Sequence, residues 1–107
     1  MKINNIGREK ISNYFVYIMT NYTKSTLYIG VTNNLKRRVL EHDENSMKSI
    51  GFSGKYNCRY LVYWERFEKM ISAINREKQI KKWSRKKKDD LITNFNPGWS
   101  FLNHDLD

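Results

Sequence analysis

The chain has 107 residues, 39% of them hydrophobic and 14% aromatic, which is enough for one packed domain but too short for two. No apolar run approaches the roughly 18 residues that span a bilayer, and the first ten residues lack the hydrophobic stretch of a secretory signal. A single cysteine, Cys58, excludes an internal disulfide. These features predict one cytoplasmic domain.

The net charge of +9 is concentrated in one segment. Residues 76–88 hold +7 of it, because one acid, Glu77, stands among eight basic residues: Arg76, Lys78, Lys81, Lys82, Arg85, Lys86, Lys87 and Lys88. Polyanions bind such patches by releasing condensed counterions, so this run predicts a nucleic-acid partner, DNA first and RNA as the alternative. A solvated helix end explains the run equally well. A membrane partner is not expected, because the bulky apolar face of an interfacial helix is missing.

Two strands and a helix are predicted in the first half of the chain. Tyr14–Met19 is a continuous β-branched and aromatic run, which is typical of a strand covered on both faces. Turn-forming residues at 20–25 separate it from a second strand, Thr26–Val31, so the pair predicts an antiparallel hairpin. The polar residues 32–34 are good N-caps for a helix predicted over residues 35–44.

The second half contributes one strand and two helices. Residues 45–57 are polar, contain glycine and serine, and are predicted to form a loop. Arg59–Phe67 is rich in aromatic and β-branched residues and predicts the third strand. Apolar residues at helical spacing predict a helix over residues 69–83, and Ser84 is expected to cap a shorter helix that ends near Phe95. The predicted order is therefore β-β-α-β-α-α.

Glu77 is a first candidate for chemistry. On a helical projection it points into the middle of an apolar arc formed by Met70, Ala73, Ile74 and Ile80. A carboxylate among apolar neighbours is costly unless a cation or hydrogen-bond donors meet it. The structural explanation is a salt bridge to a basic residue, and Lys81 lies on the same arc. The functional explanation is a ligand for a hard divalent cation, which prefers carboxylate oxygens.

Arg38 and His42 lie one helical turn apart, on the apolar face that Leu35 and Val39 define. A guanidinium held there can grip a phosphate with two parallel hydrogen bonds and stabilise charge that develops during attack. An imidazole beside it can accept or relay a proton. The alternatives are a surface arginine with its stem packed down and a core histidine with its hydrogen bonds satisfied.

Tyr28 and Gly30 project to the same side of the second strand, because side chains alternate along a strand. A glycine inside a strand usually marks the close approach of another group. Tyr17, near the middle of the neighbouring strand, can present a second hydroxyl to the same place. Core packing is the alternative explanation for each tyrosine.

These features together resemble the GIY-YIG nuclease family. Its two signature strands correspond to Phe15-Val16-Tyr17 and Tyr28-Ile29-Gly30, of which the first keeps only the tyrosine of the literal triplet. A lysine that follows the second triplet in some members is Val31 here. The resemblance runs from about residue 14 to residue 102 and is strongest to short, stand-alone bacterial members.

Four later residues extend the resemblance. Arg38 matches the family's helix arginine, and His42 follows one turn later, as in many members. Glu77 matches the glutamate that holds the metal ion. Asn96 matches a late asparagine found near the site in several members. The resemblance implies a nuclease domain over residues 13–103, preceded by a polar lead-in over 1–12 and followed by a short tail over 104–107.

The resemblance implies an α+β fold in which helices flank a small three-stranded antiparallel sheet. It also implies one Mg²⁺ or Mn²⁺ held by Glu77, with Arg38 neutralising charge on the phosphate and Tyr28 or Tyr17 accepting a proton from water. That tyrosine would need a depressed pKa. His42 would relay the proton or fix a tyrosine, while Gly30 and the basic run would face the DNA with weak sequence preference.

Three hypotheses remain open at this point. The first is a metal-dependent DNA endonuclease, structure-selective and acting in repair or recombination. The second is a nucleic-acid-binding module, for DNA or RNA, that keeps the fold without turnover. The third is a subunit whose specificity comes from a partner, although the sequence shows no obligate protein partner.

Overall fold

The structure is a computed structural model that describes residues 12–48 and 57–106. Its strands are β1 (Tyr14–Thr20), β2 (Leu27–Thr32) and β3 (Tyr60–Phe67). Its helices are α1 (Leu35–Lys48), α2 (Met70–Lys81) and α3 (Arg85–Phe95), followed by a short C-terminal 3-10 helix (Asn103–Leu106). The predicted order β-β-α-β-α-α and the α+β fold class are confirmed.

The predicted loop over residues 45–57 is partly wrong. Residues 45–48 continue α1, which therefore ends four residues later than expected. Residues 49–56, and residues 1–11 of the lead-in predicted over residues 1–12, lie outside the described residues. The sequence-based boundary failed because polar residues at the end of a surface helix resemble loop residues in composition.

Strand β1 is the centre of the sheet, whose order is β2-β1-β3 with both pairs antiparallel. Residues 16–20 of β1 are all buried, because each side chain meets a covered face. The prediction of a strand covered on both faces is confirmed. The predicted hairpin is confirmed as well, since β1 pairs with β2 across the short connection at residues 21–26.

Two separate apolar clusters lie on the two faces of this sheet. On one face, Val16, Ile18 and Ile29 pack with residues of α2 and α3, namely Ala73, Ile80 and Ile92. On the other face, Tyr17, Met19 and Leu61 pack with Leu35, Val39 and Cys58. The molecule therefore has three layers, with the sheet between α1 and the α2–α3 pair. None of the described helices is long and apolar enough to cross a membrane.

The apolar arc predicted on α2 is only partly buried. Ala73 and Ile80 are fully buried, but Met70 is 53% exposed and the neighbouring Ile71 is 60% exposed. Met70 is the first residue of the helix, so the buried stripe begins one turn later than the sequence pattern indicated.

Two of the predicted helix caps are present. Ser84 precedes α3, and its hydroxyl accepts a hydrogen bond from the Lys87 amide at 3.2 Å. The Asn34 side-chain oxygen accepts from the Arg37 amide at 3.0 Å at the start of α1. Each oxygen satisfies an amide that has no partner within its own helix.

A β-bulge in β3 is stabilised by Asn96. Ile18 pairs with Tyr63 and Met19 pairs with Leu61, which leaves Val62 as the extra residue. The Val62 carbonyl accepts a hydrogen bond from Asn96 Nδ2 at 3.1 Å. The Asn96 side chain also donates to the Ser100 carbonyl and accepts from the Ser100 amide. Asn96 thus fixes the end of α3 against the outer strand of the sheet.

Replacement of Asn96 by alanine is expected to lower the free energy of unfolding by about 2–3 kcal/mol, because it leaves buried backbone groups without partners. Asn94, which is exposed on the same helix, provides the matched control, and Asn94→Ala should change stability by less than about 0.5 kcal/mol. Urea unfolding measures both. Equal effects of the two substitutions would contradict the role assigned to Asn96.

Candidate active site

Gly30 allows two strands and a helix to meet at one hydroxyl group. Tyr17 of β1 lies opposite Gly30 of β2. A β-carbon built on Gly30 would lie 2.5 Å from the Tyr17 hydroxyl oxygen and 2.6 Å from the ring carbon that bears it, so any side chain there would displace the ring. The Tyr17 hydroxyl then forms a hydrogen bond of 3.0 Å with Nε2 of His42 on α1.

Burial sets the protonation state of this pair. Tyr17 is 1% exposed and His42 is 3% exposed. Burial is the largest cause that raises the pKa of Tyr17 far above its ordinary value of 10. Burial, followed by the positive charge of Arg38, lowers the pKa of His42 from 6.5 to about 4. At neutral pH a neutral phenol is therefore hydrogen-bonded to a neutral imidazole.

Tyr28 completes an aromatic group around Gly30. Its ring centroid lies 4.8 Å from that of His42, in an edge-on arrangement, and 6.4 Å from that of Tyr17. Tyr17 itself meets His42 edge-on at 5.5 Å. Tyr28 is half-buried, whereas Tyr17 lies inside the core. The two predicted tyrosines therefore do frame the glycine, at different depths.

Arg38 lies one turn before His42 on α1 and is held near an acid. Its Nε atom is shielded from solvent and has no hydrogen-bond partner within the described part of the chain. Glu41 Oε1 is 3.4 Å from that atom, and Glu41 Oε2 is 3.5 Å from Arg37 Nε. The Arg38 side chain remains 38% exposed. Glu41 was missed by the sequence analysis, although its spacing of three residues from Arg38 is typical of a helical ion pair.

Glu77 belongs to α2, the helix that packs on the opposite face of the sheet and contacts both β1 and β2. Its side chain is only 17% exposed and forms an ion pair with Lys81 at 2.9 Å. Lys81 is 54% exposed. The structural explanation for Glu77, a salt bridge one turn away, therefore describes the chain as it stands, and its partner is a flexible surface lysine.

The charges of the candidate residues converge on the Tyr17 hydroxyl. After burial, the causes that shift the pKa of Tyr17 are Tyr28, Arg38, Glu41 and Glu77, of which Arg38 alone lowers the pKa. Glu77 therefore acts electrostatically on the aromatic group from the other layer of the fold. No set of three or more histidine, cysteine or carboxylate side chains that could hold a metal ion occurs among the described residues.

The hydrogen bonds of Asn96 go to the backbone and not to the other candidate residues. Its side-chain amide is occupied by the backbone of Val62 and Ser100. Among the other residues matched to the family, Tyr17, Tyr28, Gly30 and His42 come together directly, and Arg38 and Glu77 contribute through their charges.

Half of the predicted basic run is paired with acids. Arg76 binds Glu65 of β3 at 3.0 Å, and Lys81 binds Glu77. Two further pairs link positions four apart on α3: Arg85–Asp89 at 2.7 Å and Lys86–Asp90 at 3.2 Å. The run therefore presents less positive charge than its sequence indicated, because acids just beyond it, or distant in sequence, neutralise part of it.

The remaining lysines of the run are placed differently. Lys87 lies 4.4 Å above the centroid of the Trp83 ring, whereas Lys78, Lys82 and Lys88 form no ion pair with any described residue. Arg85 is further bound to the β1–β2 loop, since Nη1 donates to the Ser25 carbonyl and Nη2 to the Lys24 carbonyl. The basic run thus contacts the β1–β2 loop through Arg85.

Comparison with known proteins gives the site a family. The family model described as the GIY-YIG catalytic domain matches residues 13–90, a span that holds every candidate except Asn96. The chain belongs to the GIY-YIG family. GIY-YIG domains are nuclease-type domains, and the tyrosines, the arginine and the glutamate described above all lie within the matched span.

Relatives of similar size cover most of the chain. A UPF0213 protein from Natronomonas pharaonis is 38% identical over 85 residues, which is 76% of this chain and 92% of the relative. A UPF0213 protein from Syntrophus aciditrophicus is 37% identical over 90 residues, with 77% and 92% covered. The solution NMR structure of a UPF0213 protein from Bacillus halodurans is 30% identical, has a TM-score of 0.47 and covers 76% of this chain and 83% of its own.

Replacing Gly30 with alanine is expected to disrupt this GIY-YIG site and lower the free energy of unfolding by about 1–3 kcal/mol, because the new methyl group overlaps the buried Tyr17 ring. Gly98→Ala is the matched control, since a β-carbon there lies 3.8 Å from Ser100 Oγ in ordinary contact. Chemical denaturation reports the stability, and the Tyr17–His42 contact can be followed by NMR. A harmless Gly30→Ala variant would show that Tyr17 does not cross this position.

The low pKa of His42 predicts a loss of stability in acid. The unfolded chain takes up this proton below pH 6.5 and the folded chain only near pH 4, so stability falls as the pH drops between these values. The loss attributable to His42 should reach about 3 kcal/mol at most. Measuring unfolding from pH 7 to pH 4 for the wild type and His42→Gln tests this, and an unchanged slope in the variant would contradict it.

Proposed function

We propose that this protein is a metal-dependent endonuclease that hydrolyses DNA phosphodiester bonds with low sequence specificity. The proposal rests on one observation, that Tyr17, Tyr28 and His42 meet around Gly30 from two strands and a helix. The charges of Arg38 and Glu77 contribute to the pKa of Tyr17 at the same place. A charged cluster at a partly buried site is typical of catalytic centres.

Arg38 is the residue proposed to neutralise the phosphate. Its exposed part can form charge-assisted hydrogen bonds with the non-bridging oxygens, which gain negative charge during attack. Glu41 holds the guanidinium in the free protein at 3.4 Å, a distance longer than a strong charge-assisted hydrogen bond. A phosphate can therefore replace this contact at little cost.

Tyr28 is the tyrosine proposed to accept the proton of the attacking water. Tyr17 is poorly suited to that role, because burial raises its pKa and because its hydroxyl is bound to His42. Tyr28 is half-buried beside the same histidine, so it is the more accessible of the two tyrosines. Tyr17 and His42 then act as positioning residues that fix the Tyr28 ring.

Glu77 is proposed to hold Mg²⁺ or Mn²⁺, which supplies a Lewis acid that polarises the scissile phosphate. The donor set fits a hard cation, because Glu77 offers a partly shielded carboxylate. An ion pair four residues apart at a helix surface contributes only about 0.5 kcal/mol, so Lys81 can swing away when a stronger ligand arrives. Lys78 and Lys82, which are exposed lysines of the basic run outside its ion pairs, are proposed to contact neighbouring phosphates without reading bases.

The Glu77–Lys81 ion pair also supports a second candidate, a nucleic-acid-binding module without turnover. If this pair persists in the complex, Glu77 has no free charge with which to hold a cation. Plasmid nicking distinguishes the two candidates. Supercoiled DNA that is bound but left intact with Mg²⁺ and Mn²⁺ favours the module.

Glu77→Gln is expected to reduce plasmid nicking by at least about a hundredfold, because it removes the proposed metal ligand. Lys81→Met is the matched control, since it breaks the same ion pair from the other side and should leave nicking within a few fold of the wild type. If both substitutions abolished nicking equally, the ion pair and not the carboxylate would be the required feature. Thermal unfolding of both variants confirms that they fold.

A further inference from the structure

The loop between β1 and β2 carries an unusually exposed aromatic residue. Tyr22 is 70% exposed, more than any other large hydrophobic residue among those described. Its ring lies edge-on to that of Tyr60, with the centroids 6.1 Å apart, and is tilted by 56° against that of Phe101, also at 6.1 Å. Tyr60 and Phe101 are themselves stacked at 4.1 Å with 19° between their planes. We call these three rings the aromatic cluster.

Hydrogen bonds hold the loop that carries Tyr22 in one conformation. Asn21 Oδ1 accepts from the amides of Ser25 and Thr26 at 2.9 and 3.0 Å, and the Lys24 amide donates to the Asn21 carbonyl. Lys24 has a φ of 62°, in the left-handed region, which these bonds stabilise. Arg85 of α3 then clamps the loop from outside. An exposed ring on a fixed loop loses little conformational freedom when a ligand binds.

Positive charge surrounds the aromatic cluster. Lys24 Nζ lies 5.4 Å from the Phe101 centroid, and the Arg59 guanidinium lies 5.9 Å from the Tyr60 centroid. Because Arg85 bonds to the loop, the cluster adjoins the basic run on α3. The Arg59 guanidinium is itself bound to Asp43 at 2.8 Å. The charge around these rings suits an anionic ligand that also has flat faces.

A groove of about 460 Å³ continues from the cluster along α1. Tyr60 and Phe101 line it, together with Lys36, Leu40, Arg59 and His104. Lys36 and Leu40 lie on the flank of α1 opposite Arg38, because these positions are separated by about half a turn in helical projection. The groove and the aromatic cluster are therefore separate from the candidate active site. They are nevertheless close to it along the chain, because the strand that carries Tyr28 begins directly after the same loop.

We propose that the aromatic cluster binds an unpaired nucleobase of a single-stranded segment, with Tyr22 as the stacking ring and Lys24 beside the phosphate chain. Aromatic rings interleaved with cations bind single-stranded nucleic acid because every base has a flat face to stack. The bases of an intact duplex have no such face available. The proposal deepens the proposed function, on which it rests, by naming the substrate class: DNA with an unpaired arm, such as a flap or a branch.

The test measures binding by fluorescence anisotropy without divalent metal, so that cleavage does not enter. The probes are an oligothymidylate of about ten nucleotides and a blunt duplex. Tyr22→Ala is expected to weaken binding of the oligothymidylate about tenfold and binding of the duplex by less than about twofold. Tyr22→Phe, which keeps the ring, should bind both as the wild type does. Ile71→Ala, at an exposed apolar residue elsewhere, is the control for loss of surface.

Each outcome decides a different point. If Tyr22→Ala binds both probes as the wild type does, or loses both equally, the stacking site is overturned while nicking of plasmid still tests the proposed function. If the wild type binds neither probe, both proposals fail. An oligouridylate in place of the oligothymidylate shows whether the site distinguishes RNA from DNA. Stacking is supported if Tyr22→Ala weakens binding of either single strand more than binding of the duplex. Upfield shifts of the Tyr22 ring protons on binding would identify the ring involved.

Discussion

The close approach of Tyr17 to Gly30 is the constraint on which the site depends. It lets a buried ring on the central strand cross its neighbour and reach His42 on α1, so one hydrogen bond connects the sheet to the helix. The same helix carries Arg38 one turn before His42. The Tyr17–His42 hydrogen bond therefore also sets the position of Arg38 relative to the tyrosines. Because the pair is buried and neutral, it contributes rigidity. In the proposed mechanism, the chemistry is carried out by the more exposed groups at its edge.

The charged groups at that edge have helical neighbours of opposite sign in the free protein. Arg38 lies near Glu41 and Glu77 binds Lys81. These pairs are partly exposed and weak, so they keep the charges compensated without holding them firmly. In the proposed mechanism a phosphate replaces Glu41 and a cation replaces Lys81. The same principle applies to the basic run, where Asp89 and Asp90 pair with Arg85 and Lys86. A bound polyanion can replace these two acids as the partners of the basic side chains.

The two proposed sites lie on either flank of α1 and share the β1–β2 loop as their connection. A duplex at the tyrosine–arginine site and an unpaired arm at Tyr22 would thus engage one strand of nucleic acid at two points. Arg85, bound to the loop carbonyls, joins this loop to the basic helix. Such an arrangement would give preference for DNA shape without any contact that reads a base pair.

Local hydrophobic periodicity was enough to predict the order of elements, the hairpin and a first strand covered on both faces, because it records which faces of each element are buried. The sequence also paired Tyr28 with Gly30, since side chains alternate along a strand, and Arg38 with His42, since they lie one helical turn apart. The resemblance to the GIY-YIG family was needed to join these two pairs. Three contacts could be seen only in the folded chain: Asn96 supports a bulge, Arg76 binds Glu65, and Tyr22 meets Phe101. These contacts join residues far apart in the chain, and packing between layers, which no local pattern encodes, brings them together.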